Sequence, residues 1–511
     1  MPRAQIQDPP PPAIKWIERG IIGCLFLIAL AAPHSIAITQ VAWLLGIILW
    51  AVRFAFYPKP QLLRTPVDYA LLGFFILSGI SSCFSYNPVM SIGKMRAASL
   101  FTIFYLVVHN VRSVRIARLL TFCLIGSCMF SVFYTAGQLI VGKGVKVEGV
   151  RPDSPLAQAV FKTRTVTQST PIINGDTVWE IDGVRVDSPE EIASALAAGP
   201  TDANVTIYRV EWTPTLKVPR AKLLPGSNVL EQLGISSWSR GRDWRASGTY
   251  GHWITYAEVL QLIASLAIGL LLGLKQRKSL AGLSLLLAIV GLVFALGMTV
   301  TRASWIGLAV STTVMLLLTV SRRTLVIVGV CAIPLVLAGA VYLQQKRSVG
   351  FLDRKDQSTT WRETVWREGF NLLVSSPRHI VVGVGMDSIK GYWRQWGLFD
   401  NGRLPIGHMH SNLLQIALER GVPALIVWLI MLGMYGRALW KTIRKSHHGN
   451  GIAEDFPRAL ALGALGGLIG FFVSGLVHYN WGDSEVVMVF YLIMGLSLCC
   501  SGMLFAKELS E

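Results

Sequence analysis

Apolar residues in this 511-residue chain gather in long runs, not in the strict alternation of a half-buried strand or the single stripe of a soluble helix. A helix needs about 20 apolar residues to cross the hydrocarbon core of a bilayer. Twelve runs approach that length: 18–33, 38–57, 68–84, 92–109, 116–139, 252–274, 279–299, 303–320, 324–343, 412–436, 458–478 and 485–506. The pattern predicts an all-α polytopic membrane protein with about 12 spanning helices. Two long hydrophilic stretches, 140–251 and 344–411, interrupt the runs.

Composition agrees. Charged residues make up 15% of the chain and hydrophobic ones 52%, whereas a soluble domain carries about 25% charged residues. The net charge of +18 would suggest nucleic acid in a soluble protein. Here the basic residues sit at the ends of apolar runs, so they read as topology signals and no nucleic-acid partner is expected. Alternate short loops carry Arg53, Lys59 and Arg64; Arg112, Arg115 and Arg118; Lys275, Arg277 and Lys278; Arg322 and Arg323; and Lys441, Arg444, Lys445 and Arg458. By the positive-inside rule these loops are cytoplasmic, both chain ends are cytoplasmic, and both long hydrophilic stretches lie outside. The first apolar run leads straight into the second without a small-residue cleavage site, so no removable signal peptide is expected. All seven cysteines fall inside apolar runs, which gives neither a disulfide framework nor a zinc-spaced pair. With no Asp-x-Asp pair either, no metal and no cofactor are expected.

The first hydrophilic stretch predicts a small α+β insertion at 142–225. A strand precedes the turn Asp153-Ser154-Pro155 and a short helix. Asn174-Gly175-Asp176 marks another turn, and TVWEIDGVRV predicts a hairpin with Asp182-Gly183 at its tip. Ser188, with Glu191 three residues on, forms a capping box for a helix. Val205, Ile207 and Tyr208 open a last strand. This order, with "DSP", "NGD" and "IDGVRV", resembles the PDZ domains of bacterial envelope proteases over about 70 residues. The resemblance implies either a spacer or docking module, or the capture of a peptide end by strand addition.

The second stretch carries ten Lys or Arg against six acids, and WRETVWREGFNLLVSS at 361–376 reads as an amphipathic helix with Trp361, Val365, Trp366, Phe370 and Leu372 on its apolar side. "GVGMDS" at 383–388 and "HMHSNLLQIALERGVPALI" at 408–426 follow. With "TRASWIGLAV" at 301–310 and "RASGTYGHWITYAEVL" at 245–260, these segments resemble, in order, the O-antigen ligase and O-antigen polymerase superfamily. The chain departs from the family pattern at Ser411-Asn412 and Trp253-Ile254.

The resemblance implies a GT-C-like fold, a bacterial inner-membrane location and transfer of a glycan from undecaprenyl pyrophosphate, either to lipid A–core or to another glycan or a protein. Arg suits a pyrophosphate because its guanidinium pairs bidentately with phosphate oxygens and stays charged in apolar surroundings. Arg245 and Arg302 stand at helix ends on the outer side, and an ionisable residue there is a functional candidate by default. An acceptor hydroxyl needs a general base, for which His is suited. His410 is favoured because the family's catalytic His directly precedes the helix. His408, two residues earlier, would fall on another helical face. His408, His252, Arg362, Arg367, Arg378 and Asn412 are candidates for substrate binding. Asp483 and Glu485 in the last outer loop could orient an Arg, bind acceptor hydroxyls or cap the final helix. The expected domains are 1–141 and 226–343 as membrane helices around the insert, 344–411 as a periplasmic catalytic loop, and 412–511 as the last helices. A lipid-linked glycan transporter and a PDZ-bearing scaffold are the other readings weighed.

Overall fold

Apolar backbone in a bilayer has no water to bond with, so spanning segments fold as helices that satisfy their own N–H and C=O groups. The computed structural model describes residues 12–162, 167–199, 201–209, 212–220, 223–274, 278–347, 357–445 and 455–508. In chain order the helices are α1 (Pro12–Ala31), α2 (Ile36–Arg53), α3 (Asp68–Cys83), α4 (Pro88–Ala98), α5 (Thr102–Asn110), α6 (Val114–Val141), α7 (Pro189–Ala197), α8 (Val229–Leu233), α9 (Trp253–Gly273), α10 (Leu280–Met298), α11 (Arg302–Thr319) and α12 (Arg322–Arg347). Then follow α13 (Gln357–Val374), α14 (Pro377–Val382), α15 (Ser388–Tyr392), α16 (Leu398–Gly402), α17 (Asn412–Arg420), α18 (Val422–Lys445), α19 (Asp455–Gly475) and α20 (Ser484–Glu508). Contacts divide the chain into two units: Met1–Val132 with Ser247–Gly339 and Leu352–Glu511, and Phe133–Ala246 with Ala340–Phe351.

Helices appear at all twelve expected places, but ten segments of the described residues are long and apolar enough to cross a membrane. The helix α3 is only 16 residues long, and α1 carries Lys15, Glu18 and Arg19 in its first turns. The run expected at 412–436 as one helix is two, because Gly421 at φ +85 stops α17 and α18 starts afresh. Lys275, Arg277, Arg354 and Lys355 lie outside the described residues.

Small residues let the central helices touch backbone to backbone. Gly269 faces Gly463, Gly273 faces Ala459, and Gly307 faces Gly470, where added methyl groups would collide with the opposing chain. These contacts fix direction: α9 and α11 both run antiparallel to α19. The first residues of α9 and α11 therefore share one end of the bundle with the last residues of α19 and the start of α20. This end carries the candidate site. Buried residues fill 83% of the membrane-length stretch of α9 and 89% of that of α20, against 33% for α10, so α9 and α20 form the centre.

The second unit holds an antiparallel sheet of eight strands: β1 (Val145–Glu148), β2 (Val160–Lys162), β3 (Thr167–Ser169), β4 (Thr177–Ile181), β5 (Val184–Arg185), β6 (Ala203–Tyr208), β7 (Thr215–Val218) and β8 (Ser237–Arg240). Their order is β3-β2-β7-β6-β4-β1-β8, with β5 paired to β4. The hairpin forms at the expected tip, where Asp182 and Gly183 both have positive φ and Ile181 pairs with Val184. Ser188 accepts the Glu191 N–H at 3.3 Å, while the Glu191 carboxylate accepts the N–H of Asp187, one residue before the cap. The polar strand β8 lies beyond the expected end of the insert and pairs along all of β1. Val147, Leu156, Val178, Ile192, Val205 and Leu216 centre an apolar core.

Candidate active site

The His408-Met409-His410 loop is held by its middle residue. Met409 is fully buried; its N–H donates to Gln415 Oε1 at 2.6 Å and its carbonyl accepts from Trp366 Nε1 at 2.8 Å. Gly369 of α13 leaves room for the Met409 side chain. The chain then turns through His410 at φ +47, a left-handed conformation uncommon outside glycine, and Ser411 caps α17. His408 and His410 were expected on different helical faces. They lie outside the helix, and this turn brings their rings to 3.9 Å. The His410 ring packs edge-on against Trp361 at 4.3 Å.

The two imidazoles are not equivalent. The His410 N–H donates to Nδ1 of His408 at 3.2 Å, so a neutral His408 carries its proton on Nε2. Nδ1 of His410 is buried without a hydrogen-bond partner. Burial, then Lys390, His252 and Arg362 nearby, push His408 down to about 4. Burial, then His408 and Arg362, push His410 lower still. Both rings are neutral near pH 7.

The glycines of "GVGMDS" and "ERG" have one cause. Gly383 lies against the backbone of Glu419, Gly385 against Ser85, and Gly421 against Val381, each with positive φ and no space for a side chain. Two backbone bonds, Val384 N–H to Leu418 O at 2.8 Å and Gly385 N–H to Glu419 O at 2.9 Å, join this loop to α17. Asp387 follows at φ +63, and its N–H donates to Glu419 Oε1 at 2.9 Å.

These elements enclose a cavity of about 180 Å³ bordered by Lys94, Asp387, Lys390, His408, Glu419, Arg420, Tyr479 and Asp483. Lys94 and Lys390 both pair with Asp387, at 2.9 and 3.0 Å. Arg420 donates to Tyr479 Oη at 3.3 Å and lies 3.6 Å from Glu419, while its Nε is buried and unpartnered. Burial pushes the Asp483 carboxyl up to about 6, against the bond it accepts from Thr255 at 2.9 Å. Asp483 thus precedes α20 and also faces the cavity.

Of the residues singled out from sequence, His408 and His410 come together, with Arg362 and His252 near enough to depress both. Arg362 on α13 donates to the Val477 carbonyl at 3.3 Å. His252 sits at the start of α9, stacked on Trp253. Arg302 is the first residue of α11, half-buried, after Val300 at φ +53. It precedes the Gly307–Gly470 contact by as many residues as Gly475 follows it, which puts Arg302 level with the end of α19. Arg245 belongs to the second unit, half-buried just past β8. Two substrate-binding candidates occupy framework positions. Asn412 is buried and its amide bonds Asn480 and the Trp481 N–H. Arg378 stacks over Tyr86 at 4.2 Å and donates to the Phe84 carbonyl. Arg367 is exposed on α13. So is Phe370, which the amphipathic pattern assigned to the apolar side; Val365, Leu372 and Leu373 are the buried members.

Sequence reasoning missed most of the cavity wall and a pair within the bundle. Glu258 of α9, 1% exposed, bonds His478 Nδ1 at 2.9 Å, and its other oxygen is buried without a partner. A carboxylate in a spanning helix was the available signal. Among the described residues no three His, Cys, Asp or Glu side chains group as metal ligands.

Comparison with curated proteins finds no match to the chain. Residues 283–429 match the family model described as O-antigen ligase. That stretch contains Arg302, Arg362, both loop histidines, Glu419 and Arg420, and the match supports a membrane glycosyltransferase of the ligase or polymerase type.

Proposed function

We propose that the protein is an inverting, metal-independent glycosyltransferase of the bacterial inner membrane, working on the periplasmic side with both chain ends cytoplasmic. It moves a glycan from undecaprenyl pyrophosphate to lipid A–core. The acceptor hydroxyl attacks the anomeric carbon, the bond to the pyrophosphate oxygen breaks, and His410 takes the hydroxyl proton. Arg302 neutralises the leaving pyrophosphate, and Arg362 contributes positive potential beside the imidazoles. His252 contacts the substrate at the start of α9.

The observation that carries this reading is the asymmetry of the two histidines. His408 borders the cavity and, with Nδ1 accepting from the backbone, carries its proton on Nε2, so it suits the role of donor to a glycan or phosphate oxygen better than that of base; His410 stands against it, outside the cavity's lining. The ring of His410 has no such commitment, which leaves it the base. Its depressed basicity is suited to activation by substrate: the anionic donor arriving nearby raises its proton affinity when the acceptor must be deprotonated.

The test is transfer from purified lipid-linked glycan to lipid A–core by the full chain, with and without chelator. Activity should survive chelation, fall by orders of magnitude in His410→Ala, and weaken in Arg302→Ala. His408→Asn should keep more activity than His410→Asn. Near-normal product from His410→Ala would end the base assignment. Transfer to a second glycan or a periplasmic protein instead would make the enzyme a polymerase or a protein O-oligosaccharyltransferase, with the PDZ-like insert a presenter of peptide in the latter case. Glycan movement across vesicles without transfer would indicate a transporter.

A further inference from the structure

The end of the bundle opposite the histidines has a larger cavity, about 850 Å³, among the last turns of α5, α18 and α20 and the 61–66 loop. The direction is set by packing: α5 runs parallel to α20, with Gly495 against Val107 and Cys499 against Val111, so both finish far from the site where α20 begins. Its walls are apolar, with Val108 and Leu498 among them, and its rim carries Arg64, Arg112, Arg437 and Lys441. None of these four cations forms an ion pair among the described residues, and all four are exposed. The loop over the cavity is built in place. Buried His109 accepts the Leu63 N–H at 3.1 Å and stacks on Trp50 and Tyr105.

We propose that this cavity binds one acidic phospholipid, its phosphate among the four cations and its acyl chains along the apolar wall. A basic pocket between spanning helices is the chemistry that holds an anionic headgroup. The volume exceeds what a phosphate alone would fill, and the apolar wall gives chains somewhere to lie. The carboxylate beside the loop, Asp68, is held by Thr65 and Tyr105 and pairs with none of the four cations, so their charge is left for an anion from outside the chain. The proposal is independent of the glycosyltransferase reading.

Delipidated full-length protein would be titrated with phosphatidylglycerol or phosphatidylcholine and read by native mass spectrometry and thermal melting. Phosphatidylglycerol should bind with a one-to-one saturating component absent for phosphatidylcholine. The quadruple variant Arg64→Gln/Arg112→Gln/Arg437→Gln/Lys441→Gln should bind about tenfold or more weakly. Arg437→Gln/Lys441→Gln, which leaves the 61–66 loop untouched, should show a smaller loss and covers the case in which the quadruple variant fails to fold. Arg322→Gln/Arg323→Gln removes two cations from the same end, outside this cavity, and should bind as wild type does. Equal binding of the two lipids would overturn the proposal. So would an equal loss in the Arg322/Arg323 control, which indicates general surface attraction. Displacement of the lipid by millimolar inorganic phosphate would reduce the cavity to a phosphate site, and preferential displacement by undecaprenyl phosphate would assign it to the carrier.

Discussion

The sheet of the second unit and the histidine end of the membrane bundle both use tight glycine turns, yet they treat charge in opposite ways. The sheet keeps an apolar core and leaves most ion pairs in water: the side chains of Arg151–Asp153 are 57% and 51% exposed, and those of Arg240–Asp187 37% and 52%. Asp176–Arg209 is its buried exception. At the histidine end Glu419–Arg420 is 5% and 8% exposed and Glu258–His478 1% and 5%. Among the described residues, His410 Nδ1, Glu258 Oε2, Arg420 Nε and Trp361 Nε1 are buried there without partners, and on the sheet Trp179 Nε1 and Arg220 Nε are; the imidazole and the carboxylate have no counterpart on the sheet. A buried unsatisfied polar atom costs about 1–3 kcal/mol. Folding alone gives no reason to leave an imidazole and a carboxylate so placed at one end, whereas binding a charged substrate does.

The sharpest way to break that contrast is His410→Ala. A positioned base contributes roughly a hundred- to ten-thousand-fold, so transfer should fall within that range while the melting temperature stays near wild type. Unchanged transfer would make the end structural, like the sheet. Next, Glu419→Ala leaves Arg420 buried without its anion, which typically costs about 3–5 kcal/mol. Thermal melting in detergent should drop strongly, and a loss no larger than that of Asp153→Ala on the sheet surface would contradict the distinction. Gly421→Ala should cost about 1–3 kcal/mol from its left-handed backbone alone, and more from the collision with Val381.

A pH series sharpens the comparison further. His408 titrates near 6.5 when unfolded and near 4 in the fold, so between those values the unfolded state binds more protons. Stability should therefore fall as pH drops from about 6.5 to about 4, and His408→Gln should lose less over that window. Asp483 acts with the opposite sign. Its carboxyl binds a proton near 6 in the fold but near 3.8 unfolded, so acidification adds stability there and Asp483→Asn should steepen the acid loss.

How much of this was legible followed the range of the interaction. Runs of apolar residues placed the helices, and local turn chemistry placed the Asp182-Gly183 hairpin and the Ser188 cap. "HMH" and "GVGMDS" stood out by family resemblance and not by any pattern of their own; the structure gives each a local role, one clamping Met409 and the other letting two backbones touch. The pairings that build the cavity are distant. Lys94 reaches Asp387 from another helix, and Glu258 meets His478 across 220 residues. No local pattern encodes such partners. The break at Gly421 was hidden because apolar residues continue on both sides of it, and the apolar pattern of α13 does not say which of its members the protein covers: Val365 and Leu372 are buried, whereas Phe370 is left exposed by the rest of the chain.

The mildest perturbation falls on the sheet. Ser188→Ala removes the side-chain oxygen that accepts the Glu191 N–H, and loss of such a cap costs typically about 1 kcal/mol. The Glu191 carboxylate still holds the Asp187 N–H, so α7 keeps half of its capping arrangement and the loss should sit at the low end. The variant should lower the unfolding midpoint of the insert slightly and leave glycan transfer to lipid A–core at the wild-type rate, because the cap touches only its own helix. If transfer to a protein acceptor fell while transfer to lipid A–core did not, α7 would be part of a peptide-presenting surface. The contrast drawn above would then lie between two substrate-binding regions, not between a framework and a site.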